Sequence, residues 1–380
     1  MKKYFSACPY FTQRQIHHIL KETRSMLRGD SKLSMGEAVV RFENEFAAYC
    51  KANNAIATNS CTSALDVVFK ALELKHNDEV IVPTQTFFAN ASSVLANNIR
   101  LRLVDVDKDF MLSAHTIESA ITPQTKAIVI VHFAGLISPD IFAIATLCKQ
   151  RHITLIEDCS HAHGAIAIDS KGKSHKAGSI GDIAVFSFYS TKILTCGEGG
   201  MIVCKNKDFA FTCRSLANRG LKPYEEQEQF ITLGSNYRLP EFSAIMGLSG
   251  LAALESQLAY RQKLSLAYKQ YLHTFIKNKT ISPQAIPSGF RHSFWRFIIF
   301  LHKHSPDNII KYLKSYHIYA DAPYKPLLHK QPLLANHPLV SYVPSTQPTI
   351  ENHISLPIHM GIKLKDVRFI TSKLKEAFNE

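Results

Sequence analysis

Apolar residues in the first two-thirds of the chain switch between two spacings. Between residues 37 and 50, Val39, Phe42, Phe46 and Ala47 recur at helical steps, which predicts an amphipathic helix with one buried face. Residues 62–74 predict a second helix, placed after a short strand at 55–57. Short apolar runs without polar alternation follow at 79–82, 101–104, 127–131 and 154–156, then at 183–188 and 201–204. Helices are predicted between them, including 87–96 and 139–150. Strands that are apolar throughout must be covered on both faces, so the pattern predicts an α/β fold built on a large, mostly parallel sheet. A long helix is expected from near Pro240 to about Gln262. Beyond it the pattern changes to a strand at 297–301, a helix at 307–316 and a closing amphipathic helix at 364–378, with prolines concentrated between Pro323 and Pro357. The expected division is a large α/β domain over residues 1–250 and a small C-terminal α+β domain over 251–380.

With 380 residues, 46% of them hydrophobic, the chain can bury one large core or two unequal ones. No apolar run is long enough to span a bilayer. The start Met1-Lys2-Lys3 is not followed by an apolar segment; Gln13, Arg14, Gln15, His17 and His18 come instead, so export is not expected. Eight cysteines lie scattered without a CxxC pair, which reads as separate reduced thiols in the cytoplasm. The net charge of +13 fits a basic surface or an anionic small-molecule ligand. Nucleic acid is not expected, because the basic residues spread along the whole length without a helix-turn-helix or a basic stripe interleaved with aromatics.

In open parallel sheets, ligands bind beyond the carboxyl ends of the strands. Asp158 follows the apolar run that ends at Ile156-Glu157, and His132 follows Ile128 to Val131. Thr58-Asn59-Ser60-Cys61-Thr62-Ser63 follows the strand at 55–57 and opens a helix. It is either an anion site of hydroxyls and free amides or an ordinary cap by Ser60 or Thr62. Lys192 sits between Phe186-Ser187-Phe188-Tyr189 and the turn Gly197-Glu198-Gly199-Gly200. An amine held beside a buried strand, with a carboxylate at another strand end, is the equipment of pyridoxal 5′-phosphate (PLP) chemistry. The amine bonds the cofactor aldehyde, and the carboxylate keeps the pyridine nitrogen protonated.

These segments occur in an order that resembles the DegT/DnrJ/StrS family of PLP-dependent sugar aminotransferases. Gly36 followed by Val40-Arg41-Phe42-Glu43 is similar to that family's opening segment, and Ser60-Cys61-Thr62-Ser63-Ala64-Leu65 to its phosphate-binding helix start. Val82-Pro83 with Thr86-Phe87, Glu157-Asp158 through His161 and Gly178-Ser179-Ile180-Gly181-Asp182 also match. So do Phe186-Ser187-Phe188 with Lys192, the glycine turn at 197–200, and Asn236-Tyr237-Arg238. Tyr324 to His329 resembles the family's substrate-facing C-terminal stretch.

The resemblance implies a fold type I, aspartate aminotransferase-like architecture and a homodimer with shared active sites. It assigns Lys192 as the Schiff-base lysine and proton shuttle, and Asp158 as the partner of the pyridinium nitrogen. Thr62, Ser63 and Ser187 become phosphate contacts, Phe87 a ring stacked on the cofactor, and His161 its neighbour near the phenolic oxygen. Asn236 is expected to reach the cofactor phosphate of the neighbouring subunit. Tyr324, His329 and Arg219 are candidates for the sugar or nucleotide. Cys61 stands where the family has Gly, so its φ must be negative. Arg219 is followed directly by Gly220, without the family's intervening His.

The implied reaction moves an amino group from glutamate or glutamine to a keto sugar, most often nucleotide-linked. A cyclitol or amino-hydroxybenzoate type is the alternative, because His161-Ala162-His163-Gly164-Ala165 resembles that group. Lys192 argues against the family's sugar 3-dehydratases, which have His there. A metal-dependent hydrolase is a distant alternative, in which three or four of Asp158, Cys159, His161, His163 and His132 would have to converge on one ion; no metal is expected.

Overall fold

The computed structural model describes residues 2–107, 109–225, 227–344 and 352–378. Part of the proline-bearing stretch, 345–351, lies outside them. An eight-stranded sheet forms the centre, in the order Val340–Val343, Arg100–Val104, Glu79–Pro83, Thr125–Val131, Thr154–Asp158, Ile183–Ser187, Gly200–Cys204, Asn54–Thr58. Gly200–Cys204 runs antiparallel to both its neighbours, and the other pairings are parallel.

The apolar runs lack alternation because both faces are buried. Along Thr125–Val131, Ile128 and Ile130 enter one core with Phe42, Phe46, Leu248 and Leu254. Ala127, Val129 and Val131 enter the opposite core with Leu65, Val68, Val94 and Leu216. The helices Glu37–Cys50 and Ile141–Arg151 cover the first face, and Cys61–Ala71, Ala89–Ala96 and Lys207–Ala217 the second. The functional strands end at one edge of this stack, where the helix Cys61–Ala71 begins.

A second sheet of three antiparallel strands, Ile281–Pro283, Phe297–Leu301 and His353–Leu356, packs with Pro306–Ser315 and Leu364–Ala377 around Phe297, Ile299, Leu313, Ile354, Ile370 and Leu374. The helix expected to stop near 262 runs over Glu241–Tyr271. Its polar Gln262 and Lys263 read as an end, but the buried stripe continues through Leu264 and Tyr268 into the second core. Residue 250 therefore lies inside one helix shared by both cores. Two further contacts cross the expected division. Val340–Val343 pairs with Arg100–Val104 in the large sheet, and Tyr4–Phe5 pairs with Ile318–Tyr319. No helix among the described residues is long and apolar enough to cross a membrane.

Candidate active site

Asp158 closes the strand Thr154–Asp158 and is 5% exposed. Its Oδ1 accepts from the Ser160 amide at 2.9 Å and its Oδ2 from Asn90 Nδ2 at 2.7 Å. Asn90 also donates to Thr86 Oγ1 at 2.9 Å, so the carboxylate is tied to the helix Ala89–Ala96. Lys192 sits in the turn after Ile183–Ser187, where its backbone N–H donates a hydrogen bond to the Tyr189 carbonyl at 2.9 Å. Its Nζ lies 4.4 Å from the centre of the Trp295 ring. Burial pulls the Lys192 amine down to about 8, against an opposing pull from Asp158 and with Arg296 adding to the depression. An amine that loses its proton near neutrality can serve as a base.

Both residues line one cavity of about 490 Å³, in the size range of small-molecule sites. The helix Cys61–Ala71 points its N-terminus there. Ser60 caps it by accepting from the Ser63 amide at 3.0 Å, and the Ala64 amide bonds the Ser60 carbonyl. The amides of Cys61 and Thr62 are left without a helical acceptor, in the positive end of the helix dipole. Cys61 is helical, as its side chain requires. The glycine turn explains why the cap is so tightly seated: a Cβ on Gly200 would stand 2.4 Å from the Ser60 carbonyl oxygen and 2.7 Å from the Cys61 nitrogen. Ser187 reaches the same cavity from its strand end.

His161 forms the inner wall. It stacks on Trp295 with ring centres 3.7 Å apart and planes 5° apart, and its Nε2 bonds the Tyr324 hydroxyl at 2.7 Å. Burial, then the charges of Lys192 and Arg296, hold His161 well below the usual histidine range, while burial and Asp158 push the Tyr324 phenol up. A neutral imidazole facing a protonated phenol accepts at Nε2 and keeps its proton on Nδ1. That Nδ1 and Asn90 Oδ1 are buried without partners among the described residues. Buried polar atoms are normally satisfied, so a cavity with an orphan donor, an orphan acceptor, a fixed carboxylate, an amine and two free helix-start amides fits a planar, phosphorylated heteroaromatic ligand. Cys61, Thr62 and Ser187 would hold the phosphate of PLP, Asp158 its ring nitrogen and Lys192 its aldehyde carbon.

The structure thus brings Thr62, Phe87, Asp158, His161, Ser187, Lys192 and Tyr324 to one cavity. Phe87 is 58% exposed at its mouth, 6.3 Å from the Tyr324 ring. Four expected residues are placed elsewhere in this chain. The Ser63 amide is taken by the cap, and its hydroxyl donates to Asn59 Oδ1 at 2.6 Å. Asn236 lies in an exposed segment that bridges to Asn218. Arg219 is half exposed, with φ 62° and Glu228 at 3.9 Å. His329 stacks on Tyr342 at 4.3 Å, beside Asp105.

The hydrolase alternative is corrected, because its ligands do not converge. His161 belongs to the Trp295 stack, and His163 packs against Phe186 and Phe188. His132, Glu157 and Cys159 do come within 4.8 Å of one another. However, His132 accepts from the Ser138 amide at Nδ1 and donates to Glu157 from Nε2 at 2.9 Å. Glu157 is filled further by the amides of Gly178, Ile180 and Gly181. Burial pushes the Glu157 carboxyl up, but these bonds outweigh it and hold it below the usual range. This group pins the turn at 178–181.

Asn90 and Trp295 were not singled out from the sequence. Asn90 sits in the first turn of the helix Ala89–Ala96, just after the Thr86-Phe87 pair that the sequence did mark, and no local signal sets it apart. Trp295 is the single tryptophan of the chain, just ahead of an apolar strand.

A model of the DegT/DnrJ/EryC1/StrS aminotransferase family matches residues 13–375. The GDP-perosamine synthase of Caulobacter vibrioides is 35% identical over 347 residues, covering 90% of this chain and 91% of that protein. Among solved structures, Helicobacter pylori PseC, an aminotransferase involved in pseudoaminic acid biosynthesis, superposes with a TM-score of 0.90 at 24% identity, over the full length of both chains. The PLP form of the Streptococcus pneumoniae sugar aminotransferase Spr1654 gives 0.87 at 23% identity, covering 100% of this chain and 99% of that one. At those identities the superpositions speak to the fold, which is that of fold type I. The match along nearly the whole chain, together with a cavity equipped as described, places the chain in the DegT/DnrJ/EryC1/StrS aminotransferase family as a PLP-dependent aminotransferase.

Proposed function

We propose that this enzyme transfers an amino group from glutamate or glutamine to a keto sugar in amino-sugar biosynthesis. The acceptor we favour is a 3- or 4-keto-6-deoxyhexose linked to a nucleoside diphosphate, destined for a surface polysaccharide or glycosylated product. The observation that carries this reading is the placement of Lys192 and Asp158 on one cavity in a chain 35% identical to a GDP-perosamine synthase. The net charge of +13 suits an acceptor bearing two phosphates. The eight cysteines are all free thiols, which supports a reducing, cytoplasmic setting.

When bound, PLP supplies an aldehyde that takes up amines and a ring that accepts electrons. Lys192 Nζ removes the proton from the donor's Cα and later delivers one to the acceptor's carbon. Asp158, immobilised by Asn90 and Ser160, holds a proton on the ring nitrogen. His161 and Trp295 exclude water from the inner wall, and the helix start at 61–62 anchors the phosphate.

We further propose that the working unit is a homodimer with shared sites. Tyr224 is 84% exposed and Leu233 94%, in the same surface segment as Phe230 and Asn236. Large apolar groups gathered on a surface favour a partner, and a second copy seated there brings Asn236 to its neighbour's cofactor.

The test is a screen of 3-keto and 4-keto nucleoside-diphosphate sugars against the amine-loaded enzyme, read by the cofactor's absorption. Return of the aldehyde-form spectrum with one sugar is the expected result. A response to keto cyclitols alone, with every nucleotide sugar inert, would overturn the acceptor assignment.

A further inference from the structure

Arg296 directly follows Trp295 and is 7% exposed. Its Nη2 meets Asp321 Oδ2 at 3.2 Å, but its Nε and Nη1 have no partner among the described residues. Asp321 is itself shared, since the same oxygen accepts from Ser6 Oγ at 2.7 Å. A second guanidinium, Arg261, is 3% exposed close by. It donates from Nη1 to the carbonyls of Phe294 and Ile358 at 2.8 and 2.7 Å, and its Nε is also unpartnered. Burial, then the charge of Arg296, pulls Arg261 down to about 9. This region therefore sets two buried cations with unused donors against one shared, partly exposed carboxylate, whose Oδ1 is also without a partner among the described residues. Such an excess is strongly unfavourable unless an anion completes it.

The excess lies against the active cavity. The Arg296 guanidinium carbon stands 4.4 Å from the centre of the Trp295 ring, and Lys192 Nζ stands 4.4 Å from the same centre. The two cations are thus at most twice that distance apart. The cofactor phosphate has its own holders at the other groups named above, Cys61, Thr62 and Ser187. An α-amino acid carries its carboxylate on the carbon whose proton Lys192 must take. A donor whose α-proton faces Lys192 Nζ can therefore turn its carboxylate towards Trp295, which lines the cavity, and span the distance to the Arg296 guanidinium.

We propose that Arg296 anchors the α-carboxylate of the amino donor. The assignment rests on the amino-acid donor of the proposed function, and it makes Arg296 the residue that admits acids and rejects the corresponding amides. A planar guanidinium with spare N–H groups is suited to that choice, because a neutral carboxamide offers it a weaker acceptor and a competing donor.

The test uses the PLP-loaded enzyme and two probes, L-glutamate and L-isoglutamine. The second keeps the γ-carboxylate and replaces only the α-carboxylate by an amide. Apparent affinities are read from the cofactor's absorption change. The parent enzyme is expected to favour glutamate by roughly 30-fold or more, as for a buried charge pair. Arg296→Gln is expected to lose most of that ratio, and Arg296→Lys to keep most of it at reduced affinity. Cofactor retention, read from the visible absorption, reports whether each variant is folded.

Equal affinity of the parent enzyme for both probes overturns the assignment, whatever the variants do. So does a Gln variant that keeps the parent's ratio. Spectral silence with every amino acid overturns the donor class itself, which separates that failure from this one.

Discussion

Lys192 is the residue where catalysis and stability oppose each other. Its amine titrates at about 8 in the fold, because of burial first, against about 10.4 in an unfolded chain. Between those values the unfolded state binds more protons, so raising the pH through this window stabilises the cofactor-free protein. Below pH 8 the ammonium destabilises the fold; with water in the cavity to screen it, the effect is roughly 2 kcal/mol. Lys192→Met is therefore expected to abolish transamination and to raise the urea midpoint of the cofactor-free protein at pH 7. The advantage should shrink towards pH 10.5. A variant less stable than its parent at pH 7 contradicts the burial argument. The chemistry-bearing residues that could be read from the sequence share one property: each adjoins the end of an apolar run. Lys192, Asp158, Ser187 and Thr62 all do so. Asn90 and Trp295 were hidden because they approach from separate elements, and only the packing shows that Asn90 holds Asp158. Ser63 shows the limit of such reading, since the cap that makes the helix start visible also uses up the Ser63 amide.

At the scale of elements, the long helix Glu241–Tyr271 organises the molecule. Its first buried side chain, Glu241, is 0% exposed and caps a different helix. Oε1 accepts from the amides of Gly36 and Val39 at 2.8 and 3.2 Å, and Oε2 from Ala38 at 2.8 Å. Gly36 has no side chain with which to cap Glu37–Cys50, so the cap comes from 205 residues away. Glu241→Ala leaves three helix-start amides without an acceptor and is expected to destabilise the protein by about 2–3 kcal/mol, with Glu241→Gln losing less. The denaturant midpoints of the two variants check this, and an Ala variant as stable as the parent rules out the cap. This contact had no sequence signature, because nothing local links residue 36 to residue 241. The buried strands were legible as apolar runs. The edge strand Val340–Val343 was not, since its Ser341 and Tyr342 face solvent and leave no apolar run to see. The direction of Gly200–Cys204 was equally hidden, because all five residues are buried, as they are in Glu79–Pro83, which runs parallel to both its own neighbours.

The whole molecule raises the question of where one active site ends. In this chain the cavity holds an amine, a buried carboxylate and a helix start, while Asn236 lies outside it on an exposed segment with Phe230 and Leu233. If each site draws Lys192 from one copy and Asn236 from the other, two single defects can complement each other. Lys192→Ala and Asn236→Ala homodimers would each carry two damaged sites. In a heterodimer, one site collects both defects and the other collects neither. Mixed and allowed to exchange subunits, the two proteins should regain activity towards a ceiling of about a quarter of the parent's, the share of intact sites in a random mixture. The Lys192 variant contributes no background, so recovery is measured against the residual rate of the Asn236 variant alone. An unshared site gives the opposite result. The mixture would then show only the average of its two components, however long exchange proceeds, and Asn236 would be reduced to holding its own turn.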